Sequence, residues 1–219
     1  MNTAYSTVVV HELGHWYNVL YGTGNGSDGM GEGNADVFAM YVYDAPIVGE
    51  DFCGTGCHIR DGNNTRQFCG DCCGACYGEV HADGEVWMGA AWKVRQNLDQ
   101  THGNSAGDLA ADTLFLSWMN AYNQTQIKSI IETQWLTLDD NDADIENGTP
   151  NHGDIDDGFR AQGFPGHDLP LVTISNVTDL ADTQDEIGPY VVDATIVAGI
   201  NPPVASATRN SRRRRAVVA

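Results

Sequence analysis

The sequence predicts a mainly α chain: a helical domain over residues 1–168, the start of a β-sandwich module over 169–208 and a basic tail at 209–219. Three observations carry this. Apolar residues recur at helical spacing through successive segments as far as about residue 165. All six cysteines fall between Cys53 and Cys76, inside an irregular insertion at 45–79 that is rich in Gly, Asp and Asn. After Pro165 the texture changes to short β-branched runs bounded by Gly, Pro or Asp.

The elements follow in order. From Ala4 to Tyr21 apolar residues and two histidines keep helical spacing, and Gly22 is a stop signal. A Gly-rich turn, GTGNGSDGMG, leads to a second helix from about Glu32 to Tyr43, ended by Pro46. The insertion then delays a third helix until about Gly84 to Leu98, where Val86, Trp87, Ala90, Ala91, Val94 and Leu98 make one apolar face. Leu109, Leu114, Trp118 and Tyr122 mark a fourth helix, and Ile127, Ile130, Ile131 and Trp135 a fifth. Thr149 followed by Pro150 reads as the cap and first turn of a sixth. LVTIS (171–175) and GPYVVDATIV (188–197) read as strands. Two strands do not make a stable sandwich alone, so they are taken as the opening of one.

Charge narrows the partners. Acidic residues outnumber basic ones 30 to 11, and five of the basic residues lie between Arg209 and Arg215. The remaining surface repels nucleic acid and anionic lipid and suits hard cations such as calcium. The RRRR run at 212–215 reads as an abrupt terminal tail, with a nucleic-acid patch as its rival. No apolar run approaches the roughly 18 residues of a membrane span. Six cysteines permit three disulfides in any of fifteen connectivities, the rival being a structural zinc on the Cys69/Cys72 and Cys73/Cys76 pairs. Disulfides imply an oxidising compartment, so a secreted protein is expected.

The chemistry sits in two segments. VVVHELGHW (8–16) places His11 and His15 four apart, which on a helix projects both imidazoles from one face, with Glu12 one step round. A catalytic zinc held by two histidines needs a third protein ligand and an open position for water. MGEGNADVF (30–38) offers Glu32, 17 residues beyond His15. Asp36, one helical turn later on the same face, is placed to accept the free ring proton of a metal-bound histidine. The bland reading of that segment is a solvated acidic face favoured by the helix dipole.

HELGH followed by EGNAD resembles the HExxH plus ExxxD signature of the gluzincin metalloendopeptidases, the thermolysin-like clan, and GMGEGNAD is similar to their fungalysin-like branch. The metzincin pattern is not met, because Tyr21 stands where its third histidine would be. The resemblance spans about residues 5 to 165 and implies the helical C-terminal lobe of a thermolysin-like metallopeptidase, with zinc on His11, His15 and Glu32 and Glu12 as general base. EVHADGEVWMGAAW (79–92) resembles the segment whose histidine stabilises the oxyanion, a role that falls on His81. The acidic residue that precedes this histidine in thermolysin is replaced by Cys76, so what orients His81 is open. Such enzymes also have an upstream β-rich lobe that forms the other wall of the cleft. With His11 so near the start, the chain is expected to be a fragment or to begin at an internal methionine.

WLTLDDNDADIENGTPNHGDI (135–155) adds Asp140, Asp142 and Asp144, alternating like the first ligands of a calcium loop but without its glycine and distal glutamate. A solvated acidic turn explains them equally well. The expected function is zinc-dependent hydrolysis of a protein or peptide substrate by a monomer, with calcium as a candidate second ion and no nucleic-acid partner. The alternatives are a catalytically silent extracellular binding or structural module that keeps the peptidase fold, and a calcium-binding repeat protein. The last leaves HELGH and EGNAD unexplained.

Overall fold

A computed structural model describes residues 3–22, 28–72, 76–170, 172–177, 190–198 and 214–218. It divides into two compact units, one of residues 1–143 with 149–167 and the other of 144–148 with 168–219.

The first unit is helical. Its helices are α1 (Thr3–Tyr21), α2 (Met30–Tyr43), α3 (Val80–His102), α4 (Asn104–Ala121), α5 (Ile130–Asp139) and α6 (His152–Ala161). Between α2 and α3 two short strands, β1 (Ile47–Val48) and β2 (Arg60–Asp61), pair antiparallel with Ile47 opposite Asp61 and Val48 opposite Arg60. The third helix buries the apolar face its spacing predicts, from Val86 to Leu98. Its Trp87 ring lies 5.2 Å from Trp118 of α4, 5.4 Å from Trp135 of α5 and 5.9 Å from Phe159 of α6. Each such ring removes about 150–250 Å² from water, so this cluster is the main hydrophobic anchor of the unit.

Around the first two helices the packing logic differs. α1 turns Thr7, His11, Gly14 and Asn18 inward, while Val9, Leu13, Trp16 and Leu20 are exposed. The buried stripe is therefore polar and small, and the apolar stripe faces outward. A polar chain ties it in: Trp87 Nε1 donates to Asn34 Oδ1 (2.7 Å), Asn34 Nδ2 to Asn18 Oδ1 (3.0 Å), and Asn18 Nδ2 to the Gly31 carbonyl (2.9 Å). Asn34 and Asn18 are 0% and 2% exposed, so these buried amides are held by one another rather than by water. Backbones approach closely at two points. A Cβ on Gly14 would stand 2.6 Å from Ala35 Cα, and one on Gly33 would stand 2.8 Å from the Gly84 carbonyl oxygen. Only glycine allows α1, α2 and α3 to pack this tightly.

α6 begins at His152 with Asn151 as its cap residue, two positions later than the Thr149–Pro150 pair suggests. Thr149 is used elsewhere: its hydroxyl donates to Asp139 Oδ2 at 2.6 Å, and Asn151 donates to both oxygens of the same carboxylate. The insertion carries the disulfides Cys53–Cys57 and Cys69–Cys76, and Cys72 is also disulfide-bonded. Cys69 and Cys76 are thereby removed from any structural zinc. Cys73 lies outside the described residues. Among the described residues no helix is long and apolar enough to cross a membrane.

The second unit holds a short 3-10 helix (Ile145–Asn147) and a three-stranded antiparallel sheet of β3 (Val172–Ser175), β4 (Tyr190–Ala198) and β5 (Arg214–Val218), in that order. Val172 pairs with Ala198 and Tyr190 with Val218. The two strands read from sequence are present. The third is drawn from the arginine-rich tail, whose Arg214 and Arg215 lie opposite Ala194 and Asp193.

Candidate metal centre

The close packing of α1 on α2 brings three side chains from two separate segments together. His11 Nε2 lies 3.1 Å from His15 Nε2 and 3.2 Å from Glu32 Oε2, and His15 Nε2 lies 3.5 Å from the same oxygen. A tetrahedral ion with ligand bonds of about 2.0–2.1 Å separates its ligand atoms by roughly 3.3 Å. The three observed separations bracket that value. Glu32 Oε2 is shut off from solvent and has no hydrogen-bond partner, although a buried carboxylate oxygen ordinarily has one. The donor set of two imidazoles and a carboxylate suits zinc.

Behind the ligands stands a layer that fixes His11. Its Nδ1 donates to Asp36 Oδ1 at 2.8 Å, which leaves Nε2 facing His15 and Glu32. Asp36 is 0% exposed and receives both Arg60 Nε (2.6 Å) and Nη2 (2.9 Å). The β1–β2 pairing delivers Arg60 to this point. Burial opposes a charge on His11, but the Asp36 and Glu32 carboxylates outweigh it and raise the imidazole to about 9. Contact with His11, then with His15, holds the Glu32 carboxyl well below the usual carboxylate range against partial burial.

A cleft of about 540 Å³ opens beside the cluster, with His11, Glu12 and His81 on its wall and Val8, Val48 and Ile59 as its apolar part. Glu12 is exposed there. Further along the wall Arg66 Nε pairs with Glu85 Oε2 at 3.3 Å and its guanidinium covers the Tyr77 ring at 4.6 Å. His81, at the N-terminus of α3, directs Nε2 to 3.3 Å from Glu32 Oε2. It stands outside the three-residue group whose ligand atoms all lie within 4.8 Å of one another. Its Nδ1 meets Glu79 Oε1 at 2.6 Å, and the other oxygen of Glu79 accepts from the backbone N–H of His81 and Ala82, both at 3.1 Å. The His81 contact holds the Glu79 carboxyl below the usual range.

The fold thus brings His11, Glu12 and His81 to the wall of one cleft, with His15 and Glu32 in contact with His11 and the buried Asp36 behind it. Asp140, Asp142 and Asp144 belong to no such ligand cluster among the described residues. Asp144 instead caps the 3-10 helix through the Glu146 N–H. A second acidic group, Asp44, Asp99 and Asp108, surrounds Arg95, which pairs with Asp44 (3.3 Å) and Asp108 (2.6 Å), and with Asp112 at 2.7 Å. Sequence reasoning missed Arg60, Glu79 and the Asn18–Asn34 pair. Glutamate is not among the favoured N-cap residues, and α3 begins at Val80 rather than near Gly84, so the cap role of Glu79 went unmarked. Nothing local marks Arg60, whose partner is 24 residues away. Compared with known proteins, the chain matches no family model, no curated protein and no solved structure.

Proposed function

We propose that this chain is a zinc-dependent endopeptidase of the gluzincin type, similar to the fungalysin-like branch, acting on protein or peptide substrates outside the cell. The observation that carries the reading is the meeting of His11 Nε2, His15 Nε2 and Glu32 Oε2 at 3.1–3.5 Å, with that Glu32 oxygen buried among imidazole nitrogens. The disulfides of the insertion, Cys53–Cys57 and Cys69–Cys76 among them, fit an oxidising compartment.

Zinc, when bound, lowers the pKa of a coordinated water to about 7 and polarises a carbonyl oxygen. The residues of the chain supply the rest. His11, His15 and Glu32 would hold the ion, with Asp36 and Arg60 fixing the His11 ring. Glu12, exposed in the cleft, takes a proton from water and returns it to the leaving amine, a transfer worth about a hundred- to ten-thousand-fold in rate. His81 faces the cleft from the opposite helix and donates to the developing oxyanion. The accessible apolar part of the wall, Val8 and Ile59, accepts a substrate side chain and excludes water beside it.

Metal analysis of the purified chain tests this directly. One zinc per chain, lost in His11→Ala, is the expected result; a chain that binds no zinc refutes it. One observation favours a second reading, a metal-holding module that does not hydrolyse: the His81 side chain is 46% exposed, so the cleft leaves its oxyanion donor in water. Casein hydrolysis that a zinc chelator abolishes would exclude this alternative.

A further inference from the structure

We infer that Glu79 is the positioning residue for His81, a role that rests on the peptidase reading above. The geometry is specific. Glu79 is the N-cap residue of α3, and its Oε2 is pinned by two backbone N–H groups of the first turn, His81 and Ala82. A carboxylate held at one oxygen by a helix terminus has its second oxygen aimed along a fixed direction, and that oxygen lies 2.6 Å from His81 Nδ1. No other hydrogen bond to the imidazole exists among the described residues, and the ring is nearly half exposed. Of the two carboxylates that touch this exposed ring, Glu79 at 2.6 Å on Nδ1 is the shorter contact and the one anchored by backbone N–H groups, while Glu32 Oε2 lies 3.3 Å from Nε2. The result is a ring whose Nε2 points at the cleft, 3.3 Å from Glu32 Oε2.

The helix end that carries this carboxylate is itself braced. Asp83, 3% exposed in the same turn, accepts the Tyr77 backbone N–H at 2.5 Å. The Cys69–Cys76 disulfide cross-links the chain just before it. Position 76 is therefore occupied by a cross-link, and the orienting carboxylate comes from the helix cap three residues later. One side chain thus both starts α3 and sets the angle of the imidazole beside it.

The test separates capping from positioning. Aspartate is a good N-cap residue but is one methylene shorter, so Glu79→Asp keeps the helix start and draws the carboxylate away from Nδ1. Glu79→Gln keeps the length but can present an N–H, not an acceptor, to the ring. Both are compared with wild type, His81→Ala and the Glu79→Gln/His81→Ala double variant, using the full chain loaded with zinc. Ring nitrogen NMR should show a proton on His81 Nδ1 in wild type that is lost in Glu79→Gln. Zinc content and Tm should hold in both single Glu79 variants, while kcat on a casein-derived peptide falls roughly ten- to hundred-fold with KM little changed. The double variant should be no slower than His81→Ala alone. An unchanged His81 ring in Glu79→Gln overturns the inference whatever the hydrolysis data show, as does a Glu79→Gln loss that persists in full without His81. A wild-type chain that binds no zinc or hydrolyses nothing, with the ring change present, refutes the peptidase reading and with it the catalytic purpose of the Glu79 contact, while its hold on the ring stands.

Discussion

Replacing Gly14 with alanine tests whether the spacing between two helices sets the metal centre. Gly14 lies inside HELGH, between the two histidines, and faces α2. A Cβ built there meets Ala35 Cα at 2.6 Å, Ala35 Cβ at 3.2 Å and the Ala35 carbonyl oxygen at 3.2 Å. Carbon atoms in contact prefer about 3.5–4.0 Å, so α1 and α2 must separate by roughly 1 Å at this level. Ala35 Cα is backbone and has no rotamer by which to yield. Overpacking of this kind costs about 1–3 kcal/mol of stability, which leaves a folded chain to measure. His11 and His15 ride on α1 and Glu32 on α2, so the 3.2 and 3.5 Å separations that involve Glu32 lengthen to about 4 Å or more. The His11–His15 separation, internal to α1, is unchanged. Zinc affinity, measured by competition with a chromophoric chelator, should fall about ten- to hundred-fold, the range seen when support for a ligand is lost. A folded Gly14→Ala chain that binds zinc within twofold of wild type would refute the argument, because the ligand triangle would then not depend on helix separation.

Other consequences can be checked independently. Glu12→Gln should retain one zinc per chain and lose about a hundred- to ten-thousand-fold in hydrolysis rate; zinc loss in that variant contradicts the division between ligand and base. Arg60→Ala leaves the fully buried Asp36 without its bidentate partner and should destabilise the fold by about 3 kcal/mol or more in a denaturant titration. Glu132 of α5, 2% exposed, shares a hydrogen bond with Asp156 of α6, and burial first, then that neighbour, push its carboxyl up to about 8. The folded state then binds a proton that the unfolded state releases near 4.5, so stability falls as pH rises from about 4.5 to about 8 and levels beyond. Glu132→Gln should flatten that slope, and a wild-type denaturation midpoint that does not drop between pH 5 and 9 would contradict the assignment. Removing bound zinc with a chelator should lower Tm, because an ion at a hundred times its Kd adds about 2.7 kcal/mol to the folded state.

Some of this was legible along the chain and some was not. The apolar face of α3 from Val86 to Leu98 was readable because it packs against other helices through side chains at regular spacing. The face of α1 misleads for the opposite reason. Its inward stripe is Thr7, His11, Gly14 and Asn18, so the apolar residues that mark it as a helix are the ones left outside. Periodicity reports that a helix forms but not which stripe a neighbour will cover. The sixth helix begins later than its Thr–Pro pair suggests because Asp139, ten residues upstream of Thr149, claims that hydroxyl. The arginine tail reads as an end by charge alone, yet the β-branched Val217 and Val218 that follow the arginines pair with β4, opposite Val191 and Tyr190.

The sequence alone determined that His11, Glu12 and His15 share one helix, because four-residue spacing is a property of the α-helix itself. It also nominated Glu32, Asp36 and His81, since their types and local context carry a chemical reading. The distance between segments is set by how the helices pack. Glu32 comes to 3.2 Å from His11 through a glycine contact and a buried amide chain, and Arg60 takes up its place through a partner 24 residues away that local sequence does not encode. Ligand identity is local chemistry, while ligand separation is the sum of packing across α1, α2 and α3, and packing is fixed only when the whole core closes.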